Sequence, residues 1–155
     1  MLLASIGHHD PAEISERIHD APAATNSLLR EIISETCRRF ASPGQSTRTA
    51  RIEHLLGAGA LTETALALID LELPLWQVRR IAYDSGEWYC ALSRERELPD
   101  WLDQSVEAHH RDLALAILAA FVEAQVVTEP QSRPSVPTVR CAANMFYAQI
   151  CDNFT

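Results

Sequence analysis

The sequence predicts an α+β domain that is predominantly α-helical, with about five helices and one β-hairpin. Two observations support this fold class. Apolar residues recur at helical spacing before residue 72 and again after residue 100, and the segment from Trp76 to Ser93 gives the best period-two signal of the chain. A chain of 155 residues can close one hydrophobic core without disulfides or metal. We therefore expect one globular domain over residues 1–127, in which residues 1–10 are a candidate disordered segment.

Capping residues and apolar stripes indicate four helices in the first half of the chain. Asp10 can cap a first helix that Pro11 begins, and Thr25-Asn26-Ser27 offers caps for a stronger second one. The segment Gly57-Ala58-Gly59 separates a third helix from a fourth. The predicted helices span residues 10–20, 28–40, 47–56 and 62–71.

The β-hairpin is predicted over residues 76–83 and 87–93. Asp84-Ser85-Gly86 suits a three-residue loop, and in the resulting register Ala82 faces Trp88. An isolated hairpin is only marginally stable, so this one must pack on the helices or gain strands, a second subunit being one source. One side of the hairpin would then present an apolar surface formed by Trp76, Val78, Ala82, Trp88, Cys90 and Leu92.

The last third of the chain is predicted to be one long helix and an extended arm. Asp100 can cap a helix that continues to about Ala124, with Val106, His109 and Phe121 among its apolar stripe. Residues 128–155 then form a proline-containing linker and a C-terminal arm, which we expect to dock on this domain or on a partner subunit.

Composition and charge exclude several classes of function. The net charge is −8, which opposes binding to nucleic acid or to an anionic membrane. All 13 basic residues are arginine, so Schiff-base chemistry and lysine-dependent phosphate sites are excluded for this chain acting alone. The chain has no apolar run near the ~20 residues of a membrane span and no signal-peptide pattern. The four cysteines are spread over the chain without a paired spacing, which favours free thiols in a reducing cytoplasm.

Aromatic side chains near the hairpin are the main candidates for an interface or a ligand site. Trp76, Tyr83 and Tyr89 cluster there, and simple core packing is the alternative for such residues. We expect Arg79, Tyr83 and Tyr89 to share the less apolar face of the hairpin, where they would contact a partner. In the C-terminal arm, Phe146 is a further candidate.

A metal site is the second hypothesis, centred on Glu107, His109 and His110. The spacing Glu-x-x-His occurs there and again at Glu16 and His19, and in di-metal helix bundles this spacing supplies two ligands. However, the glutamates fall away from the apolar stripes of their predicted helices, whereas a bundle metal site faces inward. The leading prediction therefore contains no cofactor.

The segment from Leu71 to Ala124 resembles small uncharacterised bacterial proteins from GC-rich genomes. The resemblance rests on Leu-Glu-Leu-Pro-Leu-Trp-Gln-Val-Arg-Arg at its start and Glu-Ala-His-His later, covers about a third of the chain, and implies no activity. The sequence alone therefore predicts a cytoplasmic, non-enzymatic binding or accessory protein that acts as a homodimer, with an unknown protein or small molecule as partner. A small metal-dependent enzyme or sensor is the alternative.

Overall fold

The structure, a computed structural model, describes residues 10–94 and 104–128. Within them the chain is α+β and predominantly helical, as predicted, but the sheet has three antiparallel strands instead of a lone hairpin. The strand order is β1-β2-β3. The elements are α1 (Pro11–Asp20), α2 (Asn26–Thr36), α3 (Ser46–Gly57), α4 (Leu61–Glu72), β1 (Gln77–Asp84), β2 (Glu87–Ser93), β3 (Ser105–His110) and α5 (Leu113–Thr128).

The first two helices begin at their predicted caps. The Asp10 carboxylate accepts a hydrogen bond from the Ala12 amide at 3.0 Å, and the Thr25 hydroxyl accepts one from the Leu28 amide at 3.2 Å. The second helix ends at Thr36, four residues earlier than expected. There the Gln125 amide of α5 donates to the Thr36 carbonyl at 3.1 Å, so a distant side chain satisfies a helix end.

The predicted helix over residues 100–124 is wrong in its first part. Residues 105–110 form β3, in which exposed and buried residues alternate without exception. The helix α5 begins only at Leu113, after Asp112, whose carboxylate accepts a hydrogen bond from the Leu115 amide at 3.2 Å. The other carboxylate oxygen accepts one from the Ala24 amide at 3.2 Å, so Asp112 also ties the start of α5 to the α1–α2 connection.

The hairpin register differs from the prediction at the tip. Its loop has two residues, Ser85 and Gly86, and both have positive φ (54° and 87°), as in a type I′ turn. Tyr83 therefore lies opposite Trp88, the position predicted for Ala82. A β-bulge at Arg79 then compensates for the shorter loop, because one extra residue on β1 restores the expected register nearer the start of the strand.

The helix α5 lies at the centre of the fold. It packs on β2 and β3 on one side and on α1 and α4 on the other. Five consecutive residues, Ala114 to Leu118, are all at most 3% exposed, and five residues cover more than one full helical turn. A helix that is apolar on every side has to be buried on every side, which explains why the sheet and the other helices enclose it.

Although α5 is apolar along most of its length, neither it nor any other helix in the described ranges has the length and hydropathy needed to span a bilayer.

Candidate functional site

The strand β1 carries the large apolar side chains that the helices leave uncovered on the sheet. Directly opposed residues of antiparallel strands share a face, so Ile81 and Tyr83 lie on the same side of the sheet as Cys90 and Trp88, the side on which α5 packs. The helix α5 packs on β2 and β3; in β1, Val78 packs against the core, whereas Ile81 and Tyr83 are not among the residues that do. As a result Ile81 is 37% exposed and Tyr83 is 61% exposed.

We call Ile81, Tyr83 and the half-buried Trp88 the hairpin patch. The rings of Tyr83 and Trp88 are packed, with centroids 5.1 Å apart and planes tilted by 55°. Because Trp88 also contacts the core, it holds Tyr83 in a defined position at the rim of the domain. The patch is therefore a preformed apolar and aromatic surface.

The predicted interface residues do not all reach one surface. Tyr83 belongs to the hairpin patch, whereas Tyr89 lies on the opposite, outer side of the sheet, so the two tyrosines do not share the face expected for them. Arg79 is the bulged residue of β1 and is exposed. The candidate Phe146 lies outside the described residues.

The candidate Trp76 is part of the core, since it is 3% exposed. Its indole N–H donates to the Thr128 hydroxyl at 2.8 Å, which attaches the entry of β1 to the end of α5. Burial of a tryptophan with its N–H satisfied is an efficient way to anchor a strand. The role we derive for Trp76 is therefore to anchor β1 to the fold.

The outer side of the sheet carries a small polar cluster of Tyr89, Glu107 and His109. The rings of Tyr89 and His109, which are opposed across β2 and β3, have centroids 5.0 Å apart. A hydrogen bond with the Glu107 carboxylate raises the pKa of the Tyr89 hydroxyl, with partial burial and the negative charge of Glu107 adding to the effect. The phenol therefore stays protonated at neutral pH and acts as a hydrogen-bond donor.

The strand geometry separates the three residues of the metal hypothesis. Glu107 and His109 point to the outer side of the sheet, whereas His110 points to the α5 side and is 7% exposed. The Nδ1 atom of His110 accepts a hydrogen bond from the Asp112 amide at 2.9 Å. Across residues 10–94 and 104–128, no three histidine, cysteine, aspartate or glutamate side chains are placed to hold one metal ion.

A groove of about 710 Å³ runs between α1, β3 and α5. It brings together parts of both Glu-x-x-His segments, because Glu16 and His19 line it from α1 while His109 and His110 line it from β3. Acidic residues also line it, and none of its lining residues is arginine. The groove is on the β3 edge of the sheet; the hairpin patch begins on the neighbouring strand, where Trp88 lies opposite His110, and extends to the β1 edge.

The two described cysteines are free and buried. Burial raises the pKa of the Cys37 thiol to about 12 and that of the Cys90 thiol to about 11. Both thiols are therefore protonated at neutral pH, which makes them packing residues and poor nucleophiles.

Sequence reasoning missed Ile81 as a surface residue and missed β3 altogether. The available signals were the dipeptide Ser85-Gly86, which accepts positive φ at both positions, and the alternation of polar and apolar residues from Ser105 to His110. Use of either signal would have changed the prediction of which side chains face outward.

Comparisons of the chain with models of protein families, with curated proteins and with solved structures gave no match.

Proposed function

We propose that this chain is a non-enzymatic binding or accessory protein that acts as a homodimer, with the hairpin patch as its contact surface. The observation that carries the proposal is the exposure of Ile81 and Tyr83 on the side of the sheet that α5 covers over β2 and β3. Apolar and aromatic residues held together at a surface are characteristic of protein interfaces.

The driving force for dimer formation is burial of these side chains. Removing a large apolar side chain from water contributes about 1.5 to 3 kcal/mol. A two-fold symmetric contact uses the same surface on both subunits, so Ile81 and Tyr83 are each buried twice. The gain has to exceed the entropy lost on association, and we therefore expect a dimer that dissociates on dilution.

A contact through β1 leaves the groove between α1, β3 and α5 open on each subunit, because the groove lies at the opposite edge of the sheet. The dimer would thus present two identical grooves to a further partner. This arrangement suits an accessory protein that brings two copies of a ligand together.

Sedimentation velocity of the full chain over a wide range of concentrations tests the proposal. We expect a shift from monomer to dimer with increasing concentration, and we expect Tyr83→Ser to move this shift to higher concentration by about tenfold or more. Leu75→Ser is the matched control, since Leu75 is also 61% exposed but precedes β1. A chain that stays monomeric throughout, or equal effects of the two substitutions, would contradict the proposal.

A further inference from the structure

The free edge of β1 has a defined pattern of backbone groups. In a two-residue hairpin the residues that flank the turn, here Asp84 and Glu87, form a hydrogen-bonded pair, and such pairs alternate along the strands. Ala82 then pairs with β2 through hydrogen bonds, whereas the N–H and C=O groups of Ile81 and Tyr83 point away from β2. Among the strands that the structure describes, none pairs with this edge.

The regular part of this edge is short and has clear limits. The bulge at Arg79 interrupts the strand on one side, and the turn after Asp84 ends it on the other. Five residues, Arg80 to Asp84, remain in regular β pairing, and Ala82 is at their centre. A second strand can therefore add to this edge only over a segment of about this length.

The side chains of this segment are complementary to those of a second, antiparallel copy of the same segment. If two copies of β1 pair antiparallel about a two-fold axis at Ala82, Ile81 lies opposite the partner's Tyr83, and Arg80 lies opposite the partner's Asp84. The first pair is apolar and lies on the α5 side of the sheet. The second pair has opposite charges and lies on the outer side. Symmetry forms each pair twice.

The same register also satisfies the free backbone groups. The N–H and C=O groups of Ile81 point outward, and in this register they form a hydrogen-bonded pair with those of the partner's Tyr83. The two-fold axis repeats this pair between Tyr83 and the partner's Ile81, which gives four backbone hydrogen bonds in all. A two-fold axis at Ile81 would instead place Tyr83 against the bulge at Arg79. An axis at Tyr83 would place Ile81 against Ser85 in the turn. Only the axis at Ala82 gives two complete pairs.

A positive partner also relieves a local repulsion. Asp84 and Glu87 are directly opposed at the hairpin tip, and like charges in that arrangement destabilise a strand pair. The Arg80 side chain of a second copy would place a positive charge beside them. The edge is thus complementary to itself in charge, in apolar contact and in hydrogen bonding.

We propose that two copies of this chain join edge to edge through residues 80–84 of β1, about a two-fold axis at Ala82, to form one continuous six-stranded antiparallel sheet. This inference rests on the proposed homodimer and specifies its interface. It places the two hairpin patches side by side, and it places the two α5 helices on the same side of the joined sheet.

A disulfide at the two-fold axis tests the register. Ala82 and the partner's Ala82 would form a non-hydrogen-bonded pair with Cα atoms about 4.5 Å apart, which a disulfide can bridge. Ala82→Cys is made in a chain whose Cys141 and Cys151 are serine, so that Cys37 and Cys90, both buried, are the remaining thiols. We expect a covalent dimer on mild oxidation, at a rate that rises with the fraction of dimer.

Arg80→Cys in the same background is the matched control. Position 80 would lie opposite the partner's residue 84, four residues from its own counterpart, which corresponds to about 14 Å along the strand. No disulfide can bridge that distance. We therefore expect little covalent dimer from Arg80→Cys even at a concentration at which sedimentation shows both variants to be equally dimeric, and equal crosslinking of the two variants there would overturn the proposed register.

A charge exchange provides a second, independent measurement. Arg80→Asp alone and Asp84→Arg alone should each weaken the dimer by about tenfold or more, because each places like charges opposite one another twice. The double variant, in which the two charges are exchanged, should recover the dimer. A double variant as weak as either single one would overturn the inference.

The outcomes separate this inference from the homodimer itself. A dimer in solution that Ala82→Cys does not trap would overturn the strand pairing and leave the homodimer in place, formed through another surface. A chain that is monomeric at every concentration would overturn both.

Discussion

The strands β1 and β3 are the two edges of the sheet, and both run antiparallel to β2, yet they are buried very differently. On the α5 side β3 has Val106, Ala108 and His110, none more than 8% exposed. On the same side β1 has the larger apolar residues Ile81 and Tyr83, which are 37% and 61% exposed. The less apolar strand is thus the more deeply buried one.

The difference shows that the position of α5 decides burial in this sheet. The helix packs on β2 and β3, so a short alanine and even a histidine are enclosed there, whereas Ile81 and Tyr83, near the turn of β1, stay exposed. Leaving apolar groups in water costs free energy, and apolar and aromatic side chains that adjoin at a surface are typical of interfaces. The contrast between the two edges is what points to an interface at β1.

The largest expected effect comes from placing the same side chain at each edge. Val106→Thr puts a hydroxyl against α5, and we expect it to lower the free energy of unfolding by about 1 to 3 kcal/mol. Ile81→Thr should change it by less than about 0.5 kcal/mol, since the site is at the surface of the protomer. Urea unfolding at a concentration where the chain is monomeric measures both.

The control for this pair is to repeat the experiment at high concentration. There Ile81→Thr should lose stability that the wild type gains from association. Equal effects of the two substitutions at low concentration would mean that β1 is as well covered as β3, and the comparison would fail.

A second, smaller effect is expected at the turn that sets the register of β1. Gly86 has a φ of +87°, a conformation that costs an L-residue about 1 to 2 kcal/mol, so Gly86→Ala should destabilise the fold by about that amount. Gly57→Ala is the control. It is in α3 with no atom within 4 Å of the added methyl group, and there alanine should stabilise the helix by about 0.5 to 1 kcal/mol. Thermal unfolding of the two variants distinguishes these outcomes, and a Gly86→Ala variant as stable as the wild type would contradict the turn assignment.

The smallest effect concerns the half-buried carboxylate of Glu72, the last residue of α4. Glu72 accepts a hydrogen bond from the Phe40 amide at 2.9 Å, and burial raises the pKa of its carboxyl group. Because the folded-state pKa is raised, the contribution of Glu72 to stability is present at low pH and is lost as the pH rises through that pKa. Glu72→Gln should therefore be as stable as the wild type at acidic pH and slightly more stable at pH 7.

Urea midpoints measured from pH 4 to pH 8 check this dependence. If the variant were less stable than the wild type at pH 7 and equal to it at pH 4, the carboxylate would be stabilised in the fold, and the sign derived for Glu72 would be incorrect.

Much of the fold could be predicted from local signals in the sequence. The fold class, the starts of the first two helices at Asp10 and Thr25, and the position of the hairpin are confirmed. Caps and alternating patterns depend on residues that are close in sequence, so they can be recognised without knowledge of contacts between distant segments.

The remainder depended on contacts between distant segments. Val106 and His109 are three residues apart, a spacing that also fits a helix, so the alternation from Ser105 to His110 competes with a helical pattern, and pairing with β2 decides for the strand. The bulge at Arg79 is likewise a property of two strands together. The exposure of Ile81 depends on where α5 crosses the sheet, which no local pattern in β1 reports. The candidate site was therefore only partly predictable, with Tyr83 found and Ile81 missed.

The central position of α5 has a consequence for the time course of synthesis. The layers that it joins, the helices α1 to α4 and the three strands, all precede it in the chain, so a ribosome releases them before their common core exists. Their apolar sides remain open until the helix emerges, and such exposed surfaces promote aggregation of nascent chains. We expect folding to begin late and to finish in one cooperative step, which makes this helix the element that decides when the nascent protein becomes native.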